Sequence, residues 1–165
     1  MFGFLFLNCL SQTLSPACSI LIERVKKLIG IVLTGHGAFP AGMLESVELI
    51  TGKVKQIEVV PFEEDKDKLE KEINQAIENV NTDSGVVCFT DLAGGTPFNV
   101  SSTIAASRND VRVIGGTNSP MLLSGMFQRE LALGEFVELV LKEGKDNIKQ
   151  FEVKQKQTSS EEDGI

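Results

Sequence analysis

Histidine and cysteine, the side chains that most often hold zinc, are scarce in this sequence. Its 165 residues contain one histidine, His36, and three cysteines, Cys9, Cys18 and Cys88. The cysteines fall in no metal-type spacing and have a single histidine to help them, which argues against a zinc site. No metal and no cofactor is expected. Cys88 lies inside an apolar run and reads as a small buried hydrophobe, and nothing demands an oxidising compartment. Basic charge is also short: 16 Lys and Arg face 23 Asp and Glu, a net charge of −7 that argues against a nucleic-acid partner. The apolar run Met1 to Leu7 is too short to span a bilayer, and no basic segment precedes it as a secretory signal would require. There is no internal repeat, no Walker loop and no dinucleotide fingerprint.

The length and the balance of 42% hydrophobic to 24% charged residues suit one globular domain with a single core. Residues 1–27 do not read like the rest. Pro16 and several Ser and Thr residues break any long helix there. A membrane-touching arm is weaker than an appendage outside the fold, because basic residues are missing from most of it. A natural start near Val25 would open the chain directly on its first strand. Residues 154–165, KQKQTSSEEDGI, read as a polar tail, leaving 28–153 as the domain.

Within 28–153 the pattern alternates between strands and helices. Leu28 to Leu33 is apolar except for one glycine and predicts a strand. A helix then places Met43, Leu44, Val47 and Ile50 on one face and stops at Gly52. Val54 to Phe62 predicts a second strand. Glu63, Glu64, Asp65 and Asp67 load the start of the next helix with charge that suits its dipole, and Leu69, Ile73, Ala76, Ile77 and Val80 give its core stripe. Gly85 to Thr90 reads as a third strand buried on both faces. Thr96 as N-cap with Pro97 at the first helical position opens a helix to about Ser107. Val111 to Gly116 is a fourth strand, followed by a helix with Leu122, Leu123, Met126 and Phe127. A last amphipathic segment runs from Glu135 to about Phe151, with Phe136, Leu139, Val140 and Ile148 on its apolar side. Strands alternating with helices imply a three-layer α/β/α fold around a mainly parallel four-stranded sheet of order 2-1-3-4.

That order makes strands 1 and 3 neighbours at the switch point, where such sheets gather ligands. His36 follows strand 1 and Asp91 follows strand 3, so the two face each other across one crevice. The carboxylate can bond one imidazole nitrogen and leave the other free to attack. Beside them, Gly94-Gly95-Thr96 leads into a helix N-terminus whose unpaired amides favour an anion. A lone histidine in a turn is more often a structural hydrogen-bonder. Its flanking glycines and strand-end position offset that. The chemistry that suits this set, with neither metal nor lysine clamp, is reversible acceptance of a phosphoryl group.

Three separated stretches, GIVLTGHG, TDLAGGTPFN and GGTNSPML, occur in the order and spacing of a known family. Over Leu28 to Asn118, and more loosely to Phe151, the chain resembles the IIA component of the mannose family of the phosphoenolpyruvate-dependent sugar phosphotransferase system. The resemblance implies that His36 is phosphorylated on Nε2 by the phosphocarrier protein HPr and passes the group to a IIB component of a membrane IIC/IID permease. It implies Asp91 as the catalytic partner of His36, and Gly94, Gly95 and Thr96 as phosphoryl binders. It further implies a cytoplasmic homodimer, peripheral to the membrane through the permease, with a C-terminal strand exchanged between subunits. Family members often carry an aromatic residue where this chain has Ala93, and the extension at 1–27 is outside the pattern. The phosphocarrier subunit of dihydroxyacetone kinase is an alternative within the same chemistry. A regulatory module in which phospho-His36 acts without onward transfer is an alternative of another class. A histidine phosphatase reading fails, because Gly35 rather than Arg stands immediately before the histidine and there is no second histidine.

Overall fold

The computed structural model describes residues 27–152. The expectations for the N-terminal extension and the C-terminal tail, with Cys9 and Cys18, lie outside the described residues. Among the described residues nine elements follow the order the sequence pattern predicts, strands and helices alternating up to a final pair of helices: β1 Gly30–His36, α1 Phe39–Thr51, β2 Ile57–Phe62, α2 Lys66–Val80, β3 Val86–Thr90, α3 Thr96–Ala106, β4 Val111–Gly115, α4 Ser119–Phe127 and α5 Leu133–Asp146. The strands pair in parallel in the order β2-β1-β3-β4. The topology is the expected one.

Side chains alternate across each strand and sort the core into two halves. Val32, Val86 and Cys88 pack toward α2 and α3 with Leu69, Ile73, Ile77 and Val100. Ile31, Leu33, Val87 and Phe89 pack on the other face with Val47, Leu122, Phe136 and Val140 from α1, α4 and α5. A strand sandwiched between two helical layers favours apolar residues on both faces, and β3 is buried throughout, its one polar residue Thr90 donating its hydroxyl to Ile114 O at 3.2 Å. The stripe Leu69, Ile73, Ala76, Ile77, Val80 of α2 is buried as its spacing predicts. Cys88 is fully buried in the core, and burial pushes its thiol up to about 12.

The details depart from expectation where exposure or local bonding decides. Ile50 is 68% exposed rather than on the packed face of α1, and Ile148 is 77% exposed because α5 ends at Asp146. Phe127, at the end of α4, is also exposed. Strand β2 starts at Ile57 rather than Val54. Glu63 and Glu64 precede α2 instead of forming its first turn. The helix starts after Asp65, whose carboxylate accepts from the Asp67 and Lys68 amides and so fixes the N-cap. In α3 the N-cap position is Gly95, and Thr96 is already helical. No helix among the described residues is long and apolar enough to cross a membrane.

The end of the sheet opposite His36 is closed by Arg129, which is 5% exposed. Its Nε donates to Ile29 O at 2.7 Å, and its terminal nitrogens donate to Lys55 O at 2.6 Å and Gln56 O at 2.8 Å. Three carbonyls thus stand in for water around one buried guanidinium, although burial still pulls its pKa down to about 10. The bonds tie the α4–α5 connection to the start of β1 and to the segment leading into β2.

Candidate functional site

The site is built at the carboxyl ends of β1 and β3, which pair directly with Thr34 opposite Thr90. One residue past Thr90, Asp91 turns back toward β1. Its Oδ2 accepts the His36 main-chain N–H at 2.9 Å and lies 2.7 Å from His36 Nδ1. Its Oδ1 accepts the Leu92 amide at 2.8 Å. An ionised carboxylate only accepts hydrogen bonds, so the bond to the ring requires the proton on Nδ1. The Nε2 lone pair is then left for chemistry.

Gly35 makes this contact possible. A Cβ there would sit 2.8 Å from the Phe39 ring and 3.0 Å from Asp91 Cγ, so any side chain would push the carboxylate away from the imidazole. Sequence reasoning singled out the glycines beside His36 for their conformational freedom. At Gly35 the requirement is clearance.

The Asp91 side chain is 10% exposed and that of His36 is 46% exposed. Burial pushes the Asp91 carboxyl up, but the His36 main-chain N–H, the imidazole N–H and the Leu92 N–H together outweigh it and hold the group below its ordinary value.

The glycine loop lies against the ring as expected, though its donors are arranged differently. A Cβ on Gly95 would come within 3.3 Å of His36 Cε1, so the bare glycine lets the loop back the imidazole closely. The Gly95 amide bonds to Leu92 O at 3.1 Å and is not available to a ligand. Gly94 takes φ +82 to turn the loop, and Asn99 Nδ2 holds the Gly94 carbonyl at 2.9 Å. The first amides of a helix have no partner within it, Pro97 has none to offer, and the Asn99 amide is bonded to Gly95 O. That leaves the amides of Thr96 and Phe98 at the helix start. The Thr96 hydroxyl is not spent on capping, because the cap position belongs to Gly95.

One residue of the site was missed. Phe62, the last residue of β2, stands directly opposite His36 in the strand register, and its ring meets the imidazole edge-on at 5.4 Å between centroids and 80° between planes. Its carbonyl also accepts the Gly37 amide at 2.9 Å. Counting the two strands back from their ends would have found it. Among the described residues there is no cluster of three or more His, Cys, Asp or Glu able to hold a metal.

Comparisons with known proteins give matches of one kind. A family model described as PTS system fructose IIA component matches residues 30–141. The sequence is 29% identical over 136 residues to the PTS system fructose-specific EIIA component of Bacillus subtilis strain 168, covering 81% of this chain and 88% of that protein. It is 31% identical over 131 residues to the PTS system mannose-specific EIIAB component of Escherichia coli K12, covering 76% of this chain and 40% of that protein. The crystal structure of phosphotransferase system component EIIA from Streptococcus agalactiae matches with a TM-score of 0.69 and 28% identity, over 74% of this chain and 97% of that one.

A pH test follows from Asp91. A carboxyl held below its unfolded value stabilises the fold above the ordinary carboxylate range, and this stability is lost as pH falls through the folded value. Asp91→Asn should therefore lose less stability than the wild type when urea unfolding is compared at about pH 7 and about pH 3. Equal losses in the two proteins would contradict the assignment.

Proposed function

The chain belongs to the mannose-family IIA components of the phosphoenolpyruvate-dependent sugar phosphotransferase system, and on that basis we propose that His36 carries a phosphoryl group from HPr to a IIB component. The observation that carries this reading is the division of the imidazole. Nδ1 is committed to Asp91, while Nε2 belongs to a half-exposed ring beside a helix N-terminus.

In the first step the Nε2 lone pair attacks phosphorus as the N–P bond of the donor phosphohistidine breaks. The imidazole of the donor leaves with that electron pair. The Nδ1 proton stays in place, so the phosphorylated ring is cationic, and the Asp91 carboxylate offsets that charge. The three phosphoryl oxygens collect negative charge during transfer. The Thr96 and Phe98 amides and the Thr96 hydroxyl are the donors for them, while Gly94 and Gly95 supply the turn and the clearance. The second step reverses the first, with the acceptor nucleophile of IIB displacing Nε2.

The openness of the site favours a protein as phosphoryl donor over a small molecule. Small ligands are usually gripped in concave pockets, whereas here the imidazole stands on an open rim with Leu92 exposed beside it. The relatives are named as sugar-system components, which favours onward transfer to IIB over the dihydroxyacetone kinase and regulatory alternatives. The domain proper is taken as 28–153, working in the cytoplasm beside a IIC/IID permease. A homodimer with an exchanged C-terminal strand would cover the outer edge of β4, the last strand of the sheet. Sedimentation showing only monomer at micromolar concentration would oppose that assembly.

Incubation with phosphoenolpyruvate, enzyme I and HPr, followed by intact-mass analysis under neutral or alkaline conditions, should add one phosphoryl group to the wild type. His36→Ala should add none while keeping its fold by circular dichroism. Asp91→Asn should be phosphorylated more slowly by ~10²-fold, the scale of a lost orienting partner. Labelling of His36→Ala would refute the site.

A further inference from the structure

We propose that Phe62 is a positioning residue for His36, bounding a side of the imidazole that neither Asp91 nor Gly95 controls. The inference rests on the phosphocarrier reading above and deepens it. A single bond from Nδ1 to a carboxylate fixes one point of a ring. It leaves the imidazole free to pivot about that point through its side-chain torsions, and a pivot that breaks the bond also releases the tautomer. The Gly95 backbone backs the Cε1 side closely, since one added carbon there would already lie 3.3 Å from the ring. Phe62 bounds the ring from the neighbouring strand.

The placement of Phe62 is built into the sheet. Parallel strands lie about 4.8 Å apart, and residues in register point to the same face. His36 and Phe62 are such a pair, the last in the β1–β2 ladder. Their rings meet in the edge-to-face geometry that aromatic pairs prefer. The main chain repeats the link, because the Gly37 amide bonds to Phe62 O. The Phe62 ring is itself braced. It is half-buried and packs against the core on the α2 side, and the segment after it is fixed by Asp65 capping α2. A braced ring can hold a mobile one. Phe62 is only half-buried, so an aliphatic side chain in its place keeps the apolar contact with that core and removes only the ring, which makes the substitution a fair test.

Phe62→Leu and Phe62→Met both remove the ring while keeping an apolar side chain, and Phe62→Tyr retains it. In the unphosphorylated protein, ¹⁵N NMR of His36 with the imidazole neutral should show one Nδ1–H tautomer in the wild type and in Phe62→Tyr. The two non-aromatic variants should show shifts averaged between tautomers. With phospho-HPr as donor, they should lose about tenfold in kcat, the scale of a lost aromatic pair, at unchanged KM, and Phe62→Tyr should restore the rate. A wild-type spectrum and rate in both folded non-aromatic variants would overturn the proposal. A raised KM at unchanged kcat would overturn it too, since Phe62 would then be a docking contact. If the wild-type protein itself accepted no phosphoryl group, the phosphocarrier reading would fall, while the tautomer spectra would still decide the role of Phe62.

Discussion

The site depends on one oxygen atom. Asp91 Oδ2 accepts both the main-chain N–H of His36 and the hydrogen on its ring nitrogen. The first bond fixes where the backbone of β1 ends relative to β3. The second fixes which imidazole nitrogen carries the proton. One carboxylate thus couples the geometry of the sheet to the chemistry of the ring. Loss of the charge would remove the preference for Nδ1–H, since an amide can offer the ring either a donor or an acceptor. The carboxylate is held below its ordinary value by the groups it organises.

The rest of the fold serves to keep that oxygen in place. The order β2-β1-β3-β4 sets β1 between β2 and β3, so the histidine at its end has a neighbour on each side. From β3 comes Asp91, and from β2 comes Phe62. The loop after Asp91 returns through Gly95, close enough to Cε1 that a Cβ there would crowd it, and then starts α3. Bare backbone is required at two of these contacts. A side chain at Gly35 would displace Asp91, and one at Gly95 would crowd the ring. At the opposite end of the sheet, Arg129 bonds to three carbonyls and holds β1 and the approach to β2 to the α4–α5 connection.

Most of this was legible in the sequence because the strands are short, apolar and separated by amphipathic helices. Periodicity, with glycine and proline signals at the helix ends, placed every strand and helix, and it gave the core stripe of α2. Chain order with right-handed crossovers then brought His36 and Asp91 together. Element ends were less legible, because local bonds set them. Asp65 captures two amides and starts α2 at Lys66, which leaves Glu63 and Glu64 ahead of the helix and Asp67 in its first turn. Thr96 looked like a cap, but the loop spends Gly95 in that role, which leaves the threonine hydroxyl inside the first turn. Ile50 and Ile148 satisfied a helical period on paper, yet they fall at or beyond helix ends where no neighbouring element covers them. Phe62 was invisible to a reading of single elements, since its role arises from register between two strands 26 residues apart.

The central claim is that Asp91 takes Nδ1 and leaves Nε2 for the phosphoryl group. The most direct measurement is ¹⁵N–³¹P NMR on the protein phosphorylated through HPr with ¹⁵N-labelled histidine. The account predicts phosphorus coupled to Nε2 of His36, with Nδ1 still protonated and hydrogen-bonded. Coupling to Nδ1 would contradict it, because that nitrogen could not hold a phosphoryl group and the Asp91 carboxylate together.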